Sequence, residues 1–333
     1  MSGYRFFGPF KAWRQLPSPV TTLPHDRSHL LWEDGEGGGP TPLFTDSIDR
    51  WVNAMMADED GDSEGSEKPV VAAATAKQSG IIAGQCVIDR LLSLHFPDCR
   101  ADWYVGEGDS VDSGDSILLL SGPASDVLRC ERILLNILGR MSGIATCTAD
   151  WVNSSAKMRV ACTRKTEWGL LDKWAVNIGG GLTHRLSRSD ALMIKENDLA
   201  TMMPESSDET AAVVLAVSGI KLEVNSQFIV VEVRTVGQAV AAAEVWSRVQ
   251  QERGGAERIV LLLDNMGPVG CAKVHQILIK ENLRDWCIIE GSGGVTRANL
   301  HEWVCVDGID LVSTSAVNRG VIPLDISMAI RGE

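Results

Sequence analysis

The distribution of apolar and polar positions divides the chain into stretches of different character. Residues 1–45 are rich in Pro, Gly and aromatic side chains and hold no sustained period. The first helical pattern is FTDSIDRWVNAMM (44–56), with Thr45 or Asp46 as the candidate cap. It runs into ADEDGDSEGSEK (57–68), acidic and almost free of apolar residues. Such a segment buries too little apolar surface to offset the entropy of ordering and is predicted to be a solvated, disordered insertion. From Pro69 the pattern strengthens. PVVAAATAKQSGIIAG (69–84) predicts two strands about a Ser79-Gly80 turn, and QCVIDRLLSLHF (85–96) an amphipathic helix. DWYVGEGDSVDSGDSILLLSGP (102–123) predicts strands separated by Gly-Asp turns. A long helix follows over 124–153, with Ser125 as N-cap and Asp126 in the first turn.

From about residue 157 the chain changes to repeated strand-then-helix units. The predicted strands are MRVACT (158–163), VNIGGG (176–181), ALMIK (191–195), KLEV (221–224), FIVVEV (228–233), RIVLLLDN (258–265), WCIIEG (286–291) and GIDLVSTS (308–315). The predicted helices are GLLDKWAV (169–176), VGQAVAAAEVWSRVQ (236–250), GPVGCAKVHQILIK (267–280) and TRANLHEWVCV (296–306). Alternation of this kind implies a parallel sheet. Eight strand candidates, several of them continuous β-branched runs, favour a barrel over an open sheet. The chain therefore divides into a segment 1–68 carrying the acidic insertion, a small α/β domain with its linking helix (69–153), a barrel (154–320) and a C-terminal tail or helix (321–333). No GxGxxG follows a strand, so a dinucleotide-binding fold loses support.

Composition narrows the function. A formal net charge of −13 argues against non-specific nucleic-acid binding, which needs a basic footprint. An anionic substrate would have to be drawn by a local field. The eight cysteines are scattered without a CxxC pair and sit mostly in apolar runs. They read as buried thiols of a reducing compartment. No apolar run reaches the roughly 18 residues of a membrane span, and MSGYRFFGPFKAWR lacks a signal-peptide core. A cytoplasmic location is expected.

Against the acidic background, residues 161–198 concentrate Arg164, Lys165, Lys173, His184, Arg185, Arg188 and Lys195 around Gly179-Gly180-Gly181. A solvated basic helix face is one reading. The charges do not keep a helical period, however, and several follow strand-like runs, where α/β enzymes place their chemistry. The run is predicted to be a pocket for a small, multiply charged anion. Glu232 and Asp264 close the strands VVEV and LLLDN. They could hold Mg²⁺ through water or stabilise a cationic sugar, or simply form ion pairs with Lys165 and Lys195. EGSGGVT (290–296) is a Gly-rich turn entering a helix, a plain βα turn or a phosphate cradle.

Together these motifs resemble the quinolinate phosphoribosyltransferase family, the nicotinate-nucleotide pyrophosphorylases. The resemblance is carried by Arg164-Lys165-Thr166, by Gly179-Gly180-Gly181 with His184-Arg185, and by Ile194-Lys195-Glu196-Asn197. It continues through ERILLNILGRMSGIAT (131–146), VVEV (230–233), LLLDN (261–265) and EGSGGV (290–295) and covers about residues 70–330. It implies an α/β protein with a small N-terminal α/β domain and an incomplete, TIM-like barrel. It implies phosphoribosyl transfer from phosphoribosyl pyrophosphate to quinolinate with decarboxylation, with Mg²⁺ as cofactor.

The resemblance also implies roles. Arg132, Arg164, His184, Arg185 and Lys195 would hold the two carboxylates of quinolinate, with Arg132 supplied by the neighbouring subunit of a homodimer. Lys165 would meet the phosphates, and Glu232 and Asp264 would stabilise the oxocarbenium-like state and hold the metal through water. Ser292, Gly293 and Gly294, with Ser313, Thr314 and Ser315, would bind the 5′-phosphate. The chain departs from the family pattern at Glu167, Trp168, Thr183, Asp198 and Ser315, and Arg319 falls near a usual histidine. The alternatives are a related transferase of the molybdenum-operon type acting on another heterocycle and a non-catalytic anion binder. A Schiff-base aldolase using Lys165 or Lys195 is a further one.

Overall fold

The computed structural model describes residues 23–35, 37–59, 66–202, 208–221 and 228–331. Most of KLEV (222–224) and the centre of the acidic segment (60–65) lie outside the described residues. A short hairpin, β1 (Trp32–Glu33) and β2 (Gly39–Pro40), leads into α1 (Pro42–Asp58). The cap is Thr41, ahead of the predicted Thr45 or Asp46, because its hydroxyl accepts from the Phe44 N–H and Pro42 pre-sets the first turn. The N-terminal domain follows with β3 (Pro69–Ala76), β4 (Gly80–Ile81), α2 (Gln85–His95), β5 (Arg100–Trp103), β6 (Ser110–Val111) and β7 (Ser116–Pro123). α3 (Ala124–Ser154) then crosses to the barrel. It starts after Pro123 without the expected side-chain cap from Ser125.

The barrel domain comprises β8 (Arg159–Ala161), α4 (Leu170–Ile178), β9 (Leu192–Ile194), α5 (Glu196–Met202), α6 (Glu209–Ser218), β10 (Ile229–Val233) and α7 (Val236–Arg253). It continues through β11 (Ile259–Asp264), α8 (Gly267–Lys280), β12 (Cys287–Ser292), α9 (Leu300–Val304) and β13 (Leu311–Ser313). Its six strands are all parallel, in the order β8-β13-β12-β11-β10-β9. Leu182 adds a parallel bridge beside Ala161, on the outer flank of β8. The expected strand at 176–181 is absent: α4 runs on to Ile178, and every residue from Leu171 to Val176 is buried, as in a helix enclosed on all sides.

Strand alternation separates an interior from an exterior. Val230, Val260, Leu262, Ile288 and Leu311 join Ala161, Leu182, Ala191 and Phe228 in one inner apolar cluster. Ile229, Val231, Leu261, Leu263, Ile289 and Val312 face the surrounding helices in the main core. Side chains at Glu232, Asp264, Ser292 and Ser313 continue the inward set by the two-residue repeat, at the C-terminal ends of their strands.

One expectation about the ends of the chain is corrected. The C-terminal tail, read as tail or helix, contains β14 (Ile326–Ile330), which pairs antiparallel with β3 and extends the N-terminal sheet to β14-β3-β7-β5. The described part of residues 1–68 packs against both domains. Trp32 stacks on Trp174 at 5.1 Å, and Asp49 accepts a paired hydrogen bond from Arg90 on α2.

Candidate active site

The rim formed by the C-terminal ends of the barrel strands gathers the predicted acidic and phosphate-binding residues. Asp264, Ser292 and Ser313 occupy one register layer across three adjacent strands, and the Ser313 hydroxyl donates to Ser292 Oγ at 3.3 Å. Glu232 lies on the next strand and takes the Lys195 ammonium at 2.5 Å. Burial pushes the Glu232 carboxyl up and Glu196 adds to this, while the hydrogen bond from Lys195 opposes it. The neighbouring Glu196 is held below the ordinary carboxylate range, first by its hydrogen bond with Glu232. Arg234, which the motif reading did not single out, sits between Glu196 at 3.6 Å and Asp264 at 3.8 Å.

The turn after β12 has the backbone for close approach. Gly293 and Gly294 both have positive φ, and a side chain on Gly293 would meet the Asn265 main-chain nitrogen at 2.8 Å. On the adjoining turn Thr314 is tied down through its hydroxyl to the Val295 carbonyl. Half-buried Ser315 uses its carbonyl to accept from the Asn318 and Arg319 N–H groups. Asn318, also missed in the sequence, is fully buried and donates to the Lys165 carbonyl, which joins the two loops.

The cations separate into two groups. Arg185 is nearly buried, and that burial followed by the nearby charges of Arg164 and Arg188 pulls its guanidinium down from its usual range. Arg164 and Lys165 are exposed, and neither forms an ion pair among the described residues. Arg164 borders a cleft shared with Arg50 and Trp51 of α1, Thr166 and Leu186. Lys173, by contrast, is buried and spends its ammonium on the carbonyls of Thr183 and Thr163 and on Cys162 Sγ. The triple glycine likewise belongs to the packing. A Cβ at Gly179 would stand 2.4 Å from the Ala145 carbonyl of α3, so these glycines let two segments touch.

His184 does not face the cleft as a free ring. It is buried, its Nδ1 accepts from the Arg185 N–H at 2.7 Å, and its Nε2 meets Glu290 at 3.1 Å. Burial lowers its pKa, with Glu290 opposing. Both ring nitrogens are thus engaged within the protein. Arg132 stands exposed on α3 without an ion pair among the described residues, so its own chain leaves it unspent. For Mg²⁺ the donor set is oxygen-only and spread over two neighbouring strand ends, Glu232 and Asp264, each beside a cation. That suits an ion that keeps several waters and takes the rest of its ligands from phosphates.

The comparisons with known proteins agree with this geometry. The sequence profile of the quinolinate phosphoribosyl transferase C-terminal domain matches residues 144–329, and that of the N-terminal domain matches 53–142. The chain belongs to the quinolinate phosphoribosyl transferase family. A probable nicotinate-nucleotide pyrophosphorylase (carboxylating) of Archaeoglobus fulgidus is 36% identical over 273 residues, 79% of this chain and 95% of that protein. The mitochondrial quinolinate phosphoribosyltransferase (decarboxylating) 2a of Nicotiana tabacum is 34% identical over 268 residues, 78% of this chain and 72% of that one. Among solved structures, NadC from Streptococcus pyogenes aligns with a TM-score of 0.69 at 27% identity, covering 87% of this chain and 98% of its own.

Within this quinolinate phosphoribosyl transferase, four of the departures from the family motifs have local structural partners. Glu167 accepts from Arg140 Nη1 at 2.7 Å, and the Arg140 guanidinium lies 4.9 Å over the Trp168 ring. Thr183 Oγ1 accepts from the Arg27 N–H, and Asp198 accepts from the Lys195 N–H. All four side chains are engaged within the protein.

Proposed function

We propose that the chain transfers the phosphoribosyl group of phosphoribosyl pyrophosphate to quinolinate with loss of CO₂, giving nicotinate mononucleotide and pyrophosphate. The observation that carries this reading is one rim that combines three clustered arginines, an acidic pair and a glycine turn. Arg164 and Arg185 clamp the two carboxylates, for which planar guanidinium is best suited. The ring nitrogen bonds to C1 of the ribose as the C1–O bond to pyrophosphate breaks. Glu232 and Asp264 face the positive charge that develops on the sugar, and Lys165 faces the leaving phosphates. Once the nitrogen is quaternised, the adjacent carboxylate leaves as CO₂ and its electron pair passes into the ring, to be quenched by a proton. Catalysis rests on positioning and electrostatics. Mg²⁺, held through water by Glu232 and Asp264, would supply charge to the departing pyrophosphate.

Exposed Arg132 supports a homodimer in which it enters the partner's site. Unpaired, mostly buried cysteines support a reducing, cytoplasmic setting, and no helix among the described residues is long and apolar enough to cross a membrane. The test offers quinolinate and nicotinate in parallel with phosphoribosyl pyrophosphate and Mg²⁺, following CO₂ and pyrophosphate. Equal amounts of both products with quinolinate alone are expected. Pyrophosphate from nicotinate alone would move the substrate, and silence with both would remove the reading. Mixing inactive Arg132→Ala and Lys165→Ala proteins is expected to restore part of the activity, and no rescue would remove the shared site.

A further inference from the structure

The parallel sheet is not closed. Leu182 flanks β8 at one end and β9 forms the other, and among the described residues no strand bridges them. A segment far away in sequence occupies this seam. The Arg27 N–H donates to Thr183 Oγ1 on one side, and its guanidinium forms a buried, forked pair with Asp190 on the other. Thr183 Oγ1 in turn donates to the His25 carbonyl, while Leu23 joins the inner apolar cluster. His25 itself is fully buried. Its ring meets those of Phe228 and His184 edge-on, at 4.6 and 5.0 Å.

Beyond the ring contacts lies a buried chain of hydrogen bonds. His25 Nε2 and His184 Nε2 meet the two oxygens of Glu290, at 2.9 and 3.1 Å, inside the barrel one register layer below Ser292. Glu290 is fully buried; burial alone would raise its pKa, but the two imidazoles hold it well below the usual range. Two histidines and one carboxylate at this spacing invite a metal reading, and the hydrogen bonding excludes it. His184 Nδ1 accepts from the Arg185 N–H, so it carries no proton, and the ring proton of the neutral imidazole must sit on Nε2, pointing at Glu290. A nitrogen that is donating a proton has no lone pair for a metal. His25 Nδ1 has no partner among the described residues, a costly arrangement for a buried ring that needs only to fill space. Its other nitrogen supplies the second donor that an enclosed carboxylate requires.

We propose that residues 23–27 are the missing wall of the open barrel and that His25 is a positioning residue. It completes the hydrogen bonding of Glu290, Glu290 fixes the tautomer of His184, and His184 Nδ1 fixes the backbone of Arg185. His184 adopts a left-handed backbone, φ 52°, so the peptide that presents Arg185 needs this support to stay in place. The inference rests on the reading of Arg185 as a quinolinate contact.

The test compares His25→Leu, which fills the space without a donor, with His25→Gln, which keeps an N–H for Glu290. In His25→Leu the quinolinate KM is expected to rise about tenfold, the loss of one charge-assisted hydrogen bond. The phosphoribosyl pyrophosphate KM stays within about twofold, because that loss touches only the arginine side of the rim. His25→Gln is expected to recover most of the difference. Glu290→Gln alone and combined with His25→Leu closes a cycle: a double variant no worse than Glu290→Gln supports action through Glu290, and multiplying losses overturn it. A structural readout is independent of substrate. The six histidines give a simple ¹⁵N-imidazole spectrum, in which wild-type His184 is expected as the neutral Nε2–H tautomer and shifts in His25→Leu. An unmoved His184 signal, or equal KM changes for both substrates, would overturn the proposal. Should the wild-type protein not turn over quinolinate, the substrate reading fails while the imidazole spectrum still decides the positioning role.

Discussion

Arg140 offers the sharpest stability prediction. It lies on α3, and its guanidinium forks onto Asp172 of α4 at 2.9–3.0 Å, with a third bond to exposed Glu167. The Asp172 side chain is fully buried and that of Arg140 is 14% exposed. In Arg140→Met the carboxylate keeps only the Glu167 N–H, at 2.9 Å. Leaving a buried charge without its partner costs about 3–5 kcal/mol. The lost pair with Glu167 adds little, about 0–1 kcal/mol, because that carboxylate is half in solvent. The cation–π contact with Trp168 adds roughly 0.5–1 kcal/mol. A total near 4 kcal/mol lowers Tm by about 8–12 °C in a chain of this size. Scanning calorimetry with urea unfolding measures it. The companion variant Arg140→Met/Asp172→Leu removes both charges and is expected to be more stable than Arg140→Met alone. A loss below about 1 kcal/mol in Arg140→Met, far short of an unpaired buried charge, would refute the reasoning, as would a double variant worse than the single.

Two further outcomes follow from the barrel. Gly293→Ala forces a left-handed backbone and a collision with Asn265; a lower Tm and at least a roughly tenfold rise in the phosphoribosyl pyrophosphate KM are expected, about 1–2 kcal/mol of strain plus the lost approach. Gly294→Ala, with open space around its Cβ, is expected to lose less Tm, and equal losses would contradict the packing argument. His184, faced by His25, Lys173 and Glu290, is buried neutral with a lowered pKa. The unfolded chain takes up its proton first, so stability present above the ordinary imidazole value of 6.5 is lost as pH falls through it. Glu290, held low, contributes stability above 4.5 that is lost below that pH. Between pH 7 and 5, wild-type stability is expected to fall more steeply than that of His184→Gln, by up to about 1.4 kcal/mol per pH unit, and parallel curves would sink the assignment.

The parts of this molecule readable in sequence are those in which one residue's neighbours along the chain state its environment. β10, β11 and β12 are predominantly apolar because both faces are covered, and each carries, at or next to its last residue, the side chain that turns toward the rim: Glu232, Asp264, Ser292. The density of cations near 161–198 was likewise visible, but density does not say which charges are already spent. Lys173 is committed to carbonyl oxygens, Lys195 to Glu232, and the glycines between them to α3. Nothing in the local pattern separates these from Arg164 and Arg185, since the deciding partners sit elsewhere. The same limit hid the strand at 326–330, whose pairing joins Ile326 to Ala76 far back in the chain.

It also hid the wall at the barrel seam. Residues 23–31 show no period because they form no strand or α-helix of their own. They are held by bonds to Thr183, Asp190 and Glu290, the last 265 positions away. The departure at Thr183 carries meaning only beside Arg27 and His25, because its hydroxyl is the joint between the barrel edge and that segment. A change at a motif position therefore does not by itself argue for a changed substrate. Where the new side chain is consumed by a neighbour, as at Glu167, Thr183 and Asp198, it argues for a changed scaffold around the same clamp. The chemistry is then to be sought in the side chains left unspent at the rim.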